Sequence, residues 1–506
     1  MELGYRRVNL VWFKRDLRCV DHEPLARASA GPVLPLYVIE PEYWLLADTS
    51  ERQYRFLLDS LRDLAEQLAR RGQPLWVCVG DAVSVIQDLV ERFDVDAVFS
   101  HEETGNGWTF ARDRRVGAML RGRAVAWHQY RQHGIVRGLG QRVNWASQWE
   151  ALMAAAQWPV ADLRGPGAGL FQLPDDLPMS ERTPCRVQRG GSAAGTRALD
   201  SFLAERGRDY TRAMSSPLSA GRACSRLSPH LALGTLSLRA TVTRLRSTDA
   251  DDASWARSYR SLDKRLHWHC HFMQKLESEP RMEFEPIHRG FIDLKTEPAD
   301  PVTLQRWIDG ETGWPFVDAC MRSLAATGWM NFRMRAMIVA INAYHLWQPW
   351  QGAAQRLAQR FVDYEPGIHY SQIQMQSGTT GINVNRMYNP IKQSRDQDPD
   401  GDFIRRWVPE LAGYNSSWIH EPWKAPANLQ RAGGARIGEH YPEPIADPVQ
   451  SARVARDKMR DYIRTHDLDA EARRVLAAHG SRMKQPRPRS SPRTSTAAQN
   501  ALDFGD

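Results

Sequence analysis

The chain opens on an apolar, β-rich run, Val8–Phe13. Runs of the same kind return at Val33–Glu40, Pro74–Gly80, Asp96–His101 and Ala124–Tyr130. Helical patterns lie between them. The clearest is Arg52–Arg71, which places Phe56, Leu57, Leu61, Leu64 and Leu68 on one face at steps of three and four. Continuous apolar strands alternating with amphipathic helices predict a doubly wound α/β domain, a parallel sheet covered on both sides, over residues 1–135. Ligands of such sheets sit at the carboxyl ends of the strands. Residues 136–195 are punctuated by Gly, Pro and Ser and read as a connector. From 196 to 470 the periodicity is almost wholly helical, which predicts a mainly α-helical second domain. The segment 481–506 is rich in Pro, Arg and Ser and is disordered by composition.

Composition agrees with two domains: 506 residues exceed one ordinary core, and 42% hydrophobic with 25% charged residues is the balance of a globular chain. No run approaches the roughly 18 to 20 apolar residues of a membrane span. The N-terminus lacks the pattern of a signal peptide, so a cytoplasmic location is expected. The six cysteines form no CxxC pair, which argues against a disulfide framework, a structural zinc or an iron–sulfur cluster. The formal charge of +8 suits a polyanion partner without requiring one. The 18 tryptophans fit equally a large core and stacking around a redox group.

Four stretches concentrate chemistry. Val11–Arg18 (VWFKRDLR), followed by Asp21–Leu25 (DHEPL), sets a dense polar run at the carboxyl end of a strand. Tyr210 precedes Cys224–Leu231 (CSRLSPHL), in which Ser225 and Ser228 flank a helix entry, either as plain caps or as hydroxyls placed for a phosphate. Gly310–Leu324 (GETGWPFVDACMRSL) leads into Thr327–Arg335 (TGWMNFRMR), with Arg333 and Arg335 on one short helix. Asp363–Met375 (DYEPGIHYSQIQM) is followed by Arg386–Pro390 (RMYNP).

Taken together, these strings resemble the cryptochrome/photolyase family, and the likeness runs to about residue 425. The resemblance implies FAD in the helical domain. It assigns FAD contacts to Tyr210, to Cys224, Ser225, Arg226, Leu227 and Ser228, to Arg335, and to Asp363, Tyr364, Glu365 and His369, with His369 facing flavin N5. It assigns DNA phosphates to Arg333 and Arg386, lesion stacking to Trp268 and electron transfer to Trp350. Trp268 and His369 are thus the candidate catalytic residues. The implied function is light-driven repair of damaged DNA by a photolyase-like lyase acting as a monomer. The alternative is a sensory cryptochrome without repair.

The departures from the family pattern fall on the substrate side. Lys264–Phe272 (KRLHWHCHF) has Arg265 where the family carries a catalytic Glu, while Phe332 replaces an Asn and Met375 an aromatic. His267, His269 and His271 are candidate proton donors, although alternate spacing cannot put all three on one helix face. Ile373 replaces the tryptophan nearest the flavin, leaving Tyr370, Trp347 and Trp329 as another route. Around His101–Trp108 and Ala111–Asp113 the identity of a second, antenna chromophore stays open between a deazaflavin, a folate and none. Gln499–Phe504 (QNALDF) resembles peptides by which bacterial repair proteins dock on the sliding clamp.

Overall fold

The computed structural model describes residues 7–480 except 141, 161, 168, 175, 183–184 and 383–385. The peptide Gln499–Phe504 therefore lies outside the described residues. Five parallel strands, β1 (Arg7–Phe13), β2 (Val33–Ile39), β3 (Trp76–Val79), β4 (Asp94–His101) and β5 (Ala126–Tyr130), form one sheet in the order β3-β2-β1-β4-β5. Val11 and Phe13 of β1 enter the core on one face of the sheet, while Leu10 and Trp12 enter the core on the other. That two-sided burial is why the strands read as unbroken apolar runs. The chain steps outward from β1 to β3 and then returns to β4 on the other side of β1. The switch point therefore lies at the carboxyl ends of β1 and β4, where the VWFKRDLR motif leaves the sheet.

The second domain is built of helices around a core that includes Trp307, Trp314, Phe316 and Tyr344. Helices extend past residue 470, to Asp469–His479 among the described residues, and the connector itself carries the helix Trp145–Ala154 and the start of Ser192–Ser201. Both domains meet on the first turn of the helix Glu51–Ala69. There Arg52, fully buried, donates to the carbonyls of Leu324, Ala325 and Arg360, and Gln53 donates to those of Ala358 and Phe361. Five carbonyls at or near helix C-termini accept across the junction, which fixes the sheet against the helices around the cavity. Among the described residues no helix is long and apolar enough to cross a membrane.

Candidate FAD site and its surroundings

The second domain contains a cavity of about 1100 Å³ counted to the atom surfaces, its mouth included. Its wall is drawn from four places in the sequence: Tyr210 with Cys224–Ser228, Arg265, Trp329–Val339, and Leu357–Gln376. Of the residues expected to hold FAD, Tyr210, Cys224, Ser225, Arg226, Ser228, Arg335, Asp363, Tyr364, Glu365 and His369 all line it. Leu227 does not. Its side chain is buried in an apolar cluster with Leu231 and Leu199, and it occupies the N-cap position of the short helix Ser228–Ala232. Ser228 is therefore not spent as a cap, and among the described residues neither its hydroxyl nor that of Ser225 makes a hydrogen bond. Arg206 props this segment from behind by donating to the carbonyls of Arg222, Cys224 and Ser225. Arg226 adopts φ of 64°, an uncommon conformation for a residue with a Cβ. Its guanidinium stacks 4.0 Å from the Trp329 ring centroid.

Charge is divided unevenly around the wall. Arg335 donates to both oxygens of Asp363 at 3.0 and 2.8 Å and to the carbonyl of Met330 at 2.7 Å, and lies over the Phe361 ring. Glu365 is paired from the other domain by Arg15, at 2.5 Å. Burial pushes the Glu365 carboxyl up to about 7 even with Arg15 beside it. Arg226 and Arg265 have no carboxylate partner among the described residues, and Arg265 leaves Nε unbonded. The paired side chains of Gln372 and Gln376, one helical turn apart, also leave both amide atoms without partners. A cavity with two guanidinium groups that lack a direct carboxylate partner, free hydroxyls and two unbonded amides fits a ligand that joins a diphosphate to a polar heterocycle. These features match FAD.

His369 sits on the helix Pro366–Ser377, whose first turn follows Glu365. Its Nε2 donates to the carbonyl of Ala354 at 2.8 Å, which leaves Nδ1 as an acceptor. Burial holds its pKa down to about 4, so the ring is neutral near pH 7. Tyr364 donates to Asp48 of the first domain at 2.6 Å. Tyr370, on the same helix, packs edge-on to His369 and to Trp350 at centroid distances of 5.4 and 6.5 Å. Trp350 is thus one aromatic ring away from a cavity residue.

Two further groups of candidate residues lie outside this wall. Trp268 is not part of the cavity wall. Three residues after Arg265, it turns edge-on to His271 and tilts against Phe272, so the helix Ala253–Ser278 presents the cation and not the indole to the cavity. None of the three histidines lines the cavity either. His267 packs on Trp145 and Trp149, His269 on His133, and His271 accepts from Arg142. The GETGWPFVD string is structural: Asp318 accepts from Thr312, Gly313 and Tyr441 and closes the turn before its helix. Sequence reasoning missed Gln372 and Gln376 as wall residues, although their spacing of three and seven from His369 puts them on its face. It also missed Arg15, a link between domains that only the fold brings together.

Arg333 and Arg386 share Tyr388 as a neighbour. Both act on the buried hydroxyl of Tyr388, which has no hydrogen-bond partner, and neither has a carboxylate partner among the described residues. Phe332, next to Arg333, lines the cavity.

Known proteins resemble the chain along most of its length. Residues 261–461 match the FAD binding domain of DNA photolyase, and residues 9–139 match the DNA photolyase domain. A deoxyribodipyrimidine photo-lyase of Streptomyces griseus is 31% identical over 475 residues, covering 90% of this chain and 99% of its own.

The chain belongs to the cryptochrome/photolyase family.

A cryptochrome DASH of Gloeobacter violaceus is 29% identical, over 88% of this chain and 94% of its own. The structure of a class III photolyase from Agrobacterium tumefaciens superposes with a TM-score of 0.78 at 25% identity, over 92% of this chain and 99% of that one. Relatives of this cryptochrome/photolyase protein thus carry both names. The helical domain binds FAD, in keeping with the matched domain and with the chemistry of the cavity wall.

Proposed function

We propose that this protein repairs ultraviolet-damaged DNA in a light-dependent reaction, splitting pyrimidine dimers. The observation that carries the proposal is that Arg333 and Arg386 both neighbour Tyr388 without carboxylate partners among the described residues, with Phe332 of the FAD cavity wall beside Arg333. Two such cations suit adjacent phosphates of a strand whose damaged nucleotide has left the stack, since a flavin cannot reach a base inside a duplex. When bound, FAD supplies the excited-state electron transfer, and the protein supplies position and electrostatics. Ser225, Ser228 and Arg226 hold the diphosphate. Asp363 keeps Arg335 in place against the flavin side. His369 offers a neutral acceptor to a flavin ring N–H, and Glu365 closes the wall toward the first domain.

A second reading, a sensory cryptochrome, is favoured by one observation: Arg265 faces the cavity where the family has a carboxylate, and Trp268 does not face it. Blue-light assays on cyclobutane and (6-4) substrates, run separately, decide between the two. Repair of either supports the lyase. Binding of damaged DNA without turnover of either supports the sensor.

A second cavity, lined by Trp12, Lys14, Tyr43, Glu40, Glu103 and Arg112 among others, lies at the carboxyl ends of β1 and β2 and is the place proposed for an antenna chromophore. The peptide Gln499–Phe504 is proposed to dock on a sliding clamp. A clamp titration in which Leu502→Ala with Phe504→Ala binds as well as the parent, or in which neither binds, removes that proposal.

A further inference from the structure

One carboxylate in the wall of the FAD cavity is held from outside that cavity. Glu365 occupies the N-cap position of the helix Pro366–Ser377, lines the cavity and has a side chain 3% exposed. Among the described residues its one ion-pair partner is Arg15, from the segment that leaves β1 in the first domain. Arg15 Nη2 donates to Glu365 Oε2 at 2.5 Å and Nη1 donates to Oε1 at 3.5 Å, so both oxygens meet the guanidinium. Arg15 does not line the FAD cavity. It lines the second cavity, as do Tyr364 and Pro366, the chain neighbours of Glu365, so the ion pair forms part of the partition between the two.

Other contacts fix Arg15 independently of Glu365. Its Nε donates to the carbonyl of Ala232 at 3.0 Å, and its own carbonyl accepts from Gln132 at 2.6 Å. Gly234, with φ of 64°, packs so closely that a Cβ there would lie 2.1 Å from the Arg15 carbonyl oxygen, so the turn needs glycine. A guanidinium held this way stays charged and loses little freedom on pairing. The other groups around the pair do not displace it. Glu103, from the segment after β4, faces both Arg15 and Glu365 but is paired with Arg112. Asp363, two residues before Glu365, is held by Arg335. Tyr43 and Tyr364 face Arg15, and Cys270 of the helix Ala253–Ser278 faces Glu365; burial pushes all three up, Cys270 to about 11. His133 and His269 also face Arg15 and are pushed down by burial, His269 to about 4. The Glu365 carboxyl, by contrast, is raised by burial to about 7 against the pull of Arg15.

We propose that Arg15 is a positioning residue for the flavin, acting through Glu365: it holds that side chain as a fixed carboxylate in the wall of the FAD cavity, so that the first domain sets the charge the cofactor meets there. This role rests on FAD filling the cavity, not on which reaction the flavin serves. An ionised Glu365 only accepts hydrogen bonds and opposes negative charge on the cofactor, whereas the protonated acid can donate and carries no charge. Without the guanidinium, burial is the main influence left on the carboxyl, and a buried carboxyl keeps its proton to higher pH. Loss of Arg15 therefore raises the pH at which Glu365 ionises, and near neutral pH it turns a fixed acceptor into a donor.

The test uses the full-length, FAD-loaded protein, with FAD content measured by release on denaturation. A parent that releases no FAD removes the FAD reading and this proposal with it, whereas the outcomes below bear on Arg15 and Glu365 alone. The absorption spectrum of bound, oxidised FAD is followed across a pH titration from about 5.5 to 9.5, with free FAD titrated in parallel as the blank. The parent should show an inflection near pH 7 that Glu365→Gln abolishes. Arg15→Gln, which keeps a donor but not the charge, should move the inflection up by about one unit or more. Arg15→Lys, which keeps the charge but makes a single contact, should move it up by less. A purely structural role predicts lower melting temperature or FAD content in Arg15→Gln with the inflection unmoved. That result, a parent without an inflection, or an inflection that survives Glu365→Gln would overturn the proposal. Should Arg15→Gln fail to fold or to hold FAD, Arg15→Lys decides the question instead: a rise of about half a unit supports the link, and an unmoved inflection removes it.

Discussion

At the scale of single residues, the FAD cavity depends on groups whose ionisation is set by burial. His369 keeps one lone pair for the ligand because its other nitrogen is committed to the Ala354 carbonyl and burial holds it neutral, with a pKa of about 4. Replacing it with Asn exchanges that fixed acceptor for an amide that can turn either end inward. His369→Asn should leave FAD bound and shift its reduction potential and absorption bands; unchanged values in a spectroelectrochemical titration would separate His369 from the flavin ring. The Arg335–Asp363 pair behaves differently, because Asp363 is almost fully buried and holds Arg335 through two hydrogen bonds. Asp363→Ala leaves a cation uncompensated in the cavity wall and should cost about 3–5 kcal/mol, measured by chemical denaturation, with loss of FAD on gel filtration. The buried histidines add a pH dependence. His230, His269 and His369 are each lowered to about 4 and His101 to about 3, all by burial first. Below about 6.5 the unfolded chain takes up protons that the folded chain refuses, so stability is present above 6.5 and falls as the pH drops toward 4. Glu365, raised to about 7, has the opposite sign and offsets only part of this. Unfolding free energies from urea titrations at pH 7 and pH 5 should differ by up to roughly 2 kcal/mol per histidine, with the lower stability at pH 5.

At the scale of elements, the helix Pro366–Ser377 organises the site. One face shows His369, Gln372, Ile373 and Gln376 to the cavity, while Tyr370 turns aside to meet Trp350. Ile373 removes the aromatic ring nearest the flavin in the family pattern, and Tyr370 supplies one a turn away that contacts both a wall residue and Trp350. Tyr370→Phe and Trp350→Phe should each slow photoreduction of bound FAD at least severalfold under steady blue light; unchanged rates in both would place the electron route elsewhere. The same helices show what could be read from sequence and what could not. Strands declare themselves by unbroken apolar runs, and β1, β2 and β4 lie within two residues of the runs that predict them. The strings around Ser225, Arg335 and Asp363 locate the cavity because each is contiguous in the chain. The rotation of a buried helix is not legible in this way. The helix Ala253–Ser278 has buried residues on most of its circumference, so periodicity does not say whether Arg265 or Trp268 faces the ligand, and only packing against Tyr210 and Met214 puts Arg265 there. Leu227 fails for a related reason: it lies inside a matching string, but its side chain turns into the apolar core while its neighbours face the cavity.

At the scale of the whole molecule, two cations from distant parts of the chain neighbour one tyrosine, which makes nucleic-acid binding testable as an electrostatic quantity. Arg333 and Arg386 are 53 positions apart in sequence, yet both act on the Tyr388 hydroxyl. Neither is neutralised by a carboxylate among the described residues, so the positive potential there is not cancelled locally. The overall charge of +8 adds a weak attraction that any polyanion would feel. These two contributions separate by their salt dependence. Each phosphate neutralised by a bound cation releases condensed counter-ions, and the slope of log K against log salt falls by about 0.9 per contact on duplex DNA. Arg333→Gln with Arg386→Gln should therefore weaken binding to a damaged duplex and reduce the magnitude of that slope by about 2, with FAD content unchanged. A diffuse attraction from net charge predicts a different result: weaker binding in proportion to the two charges lost, without a matching change of slope. Titrations across a range of salt concentrations, followed by fluorescence anisotropy on a labelled duplex, distinguish the two. A slope that does not move would mean that the two arginines meet no phosphate and that their place beside Tyr388 serves the fold alone.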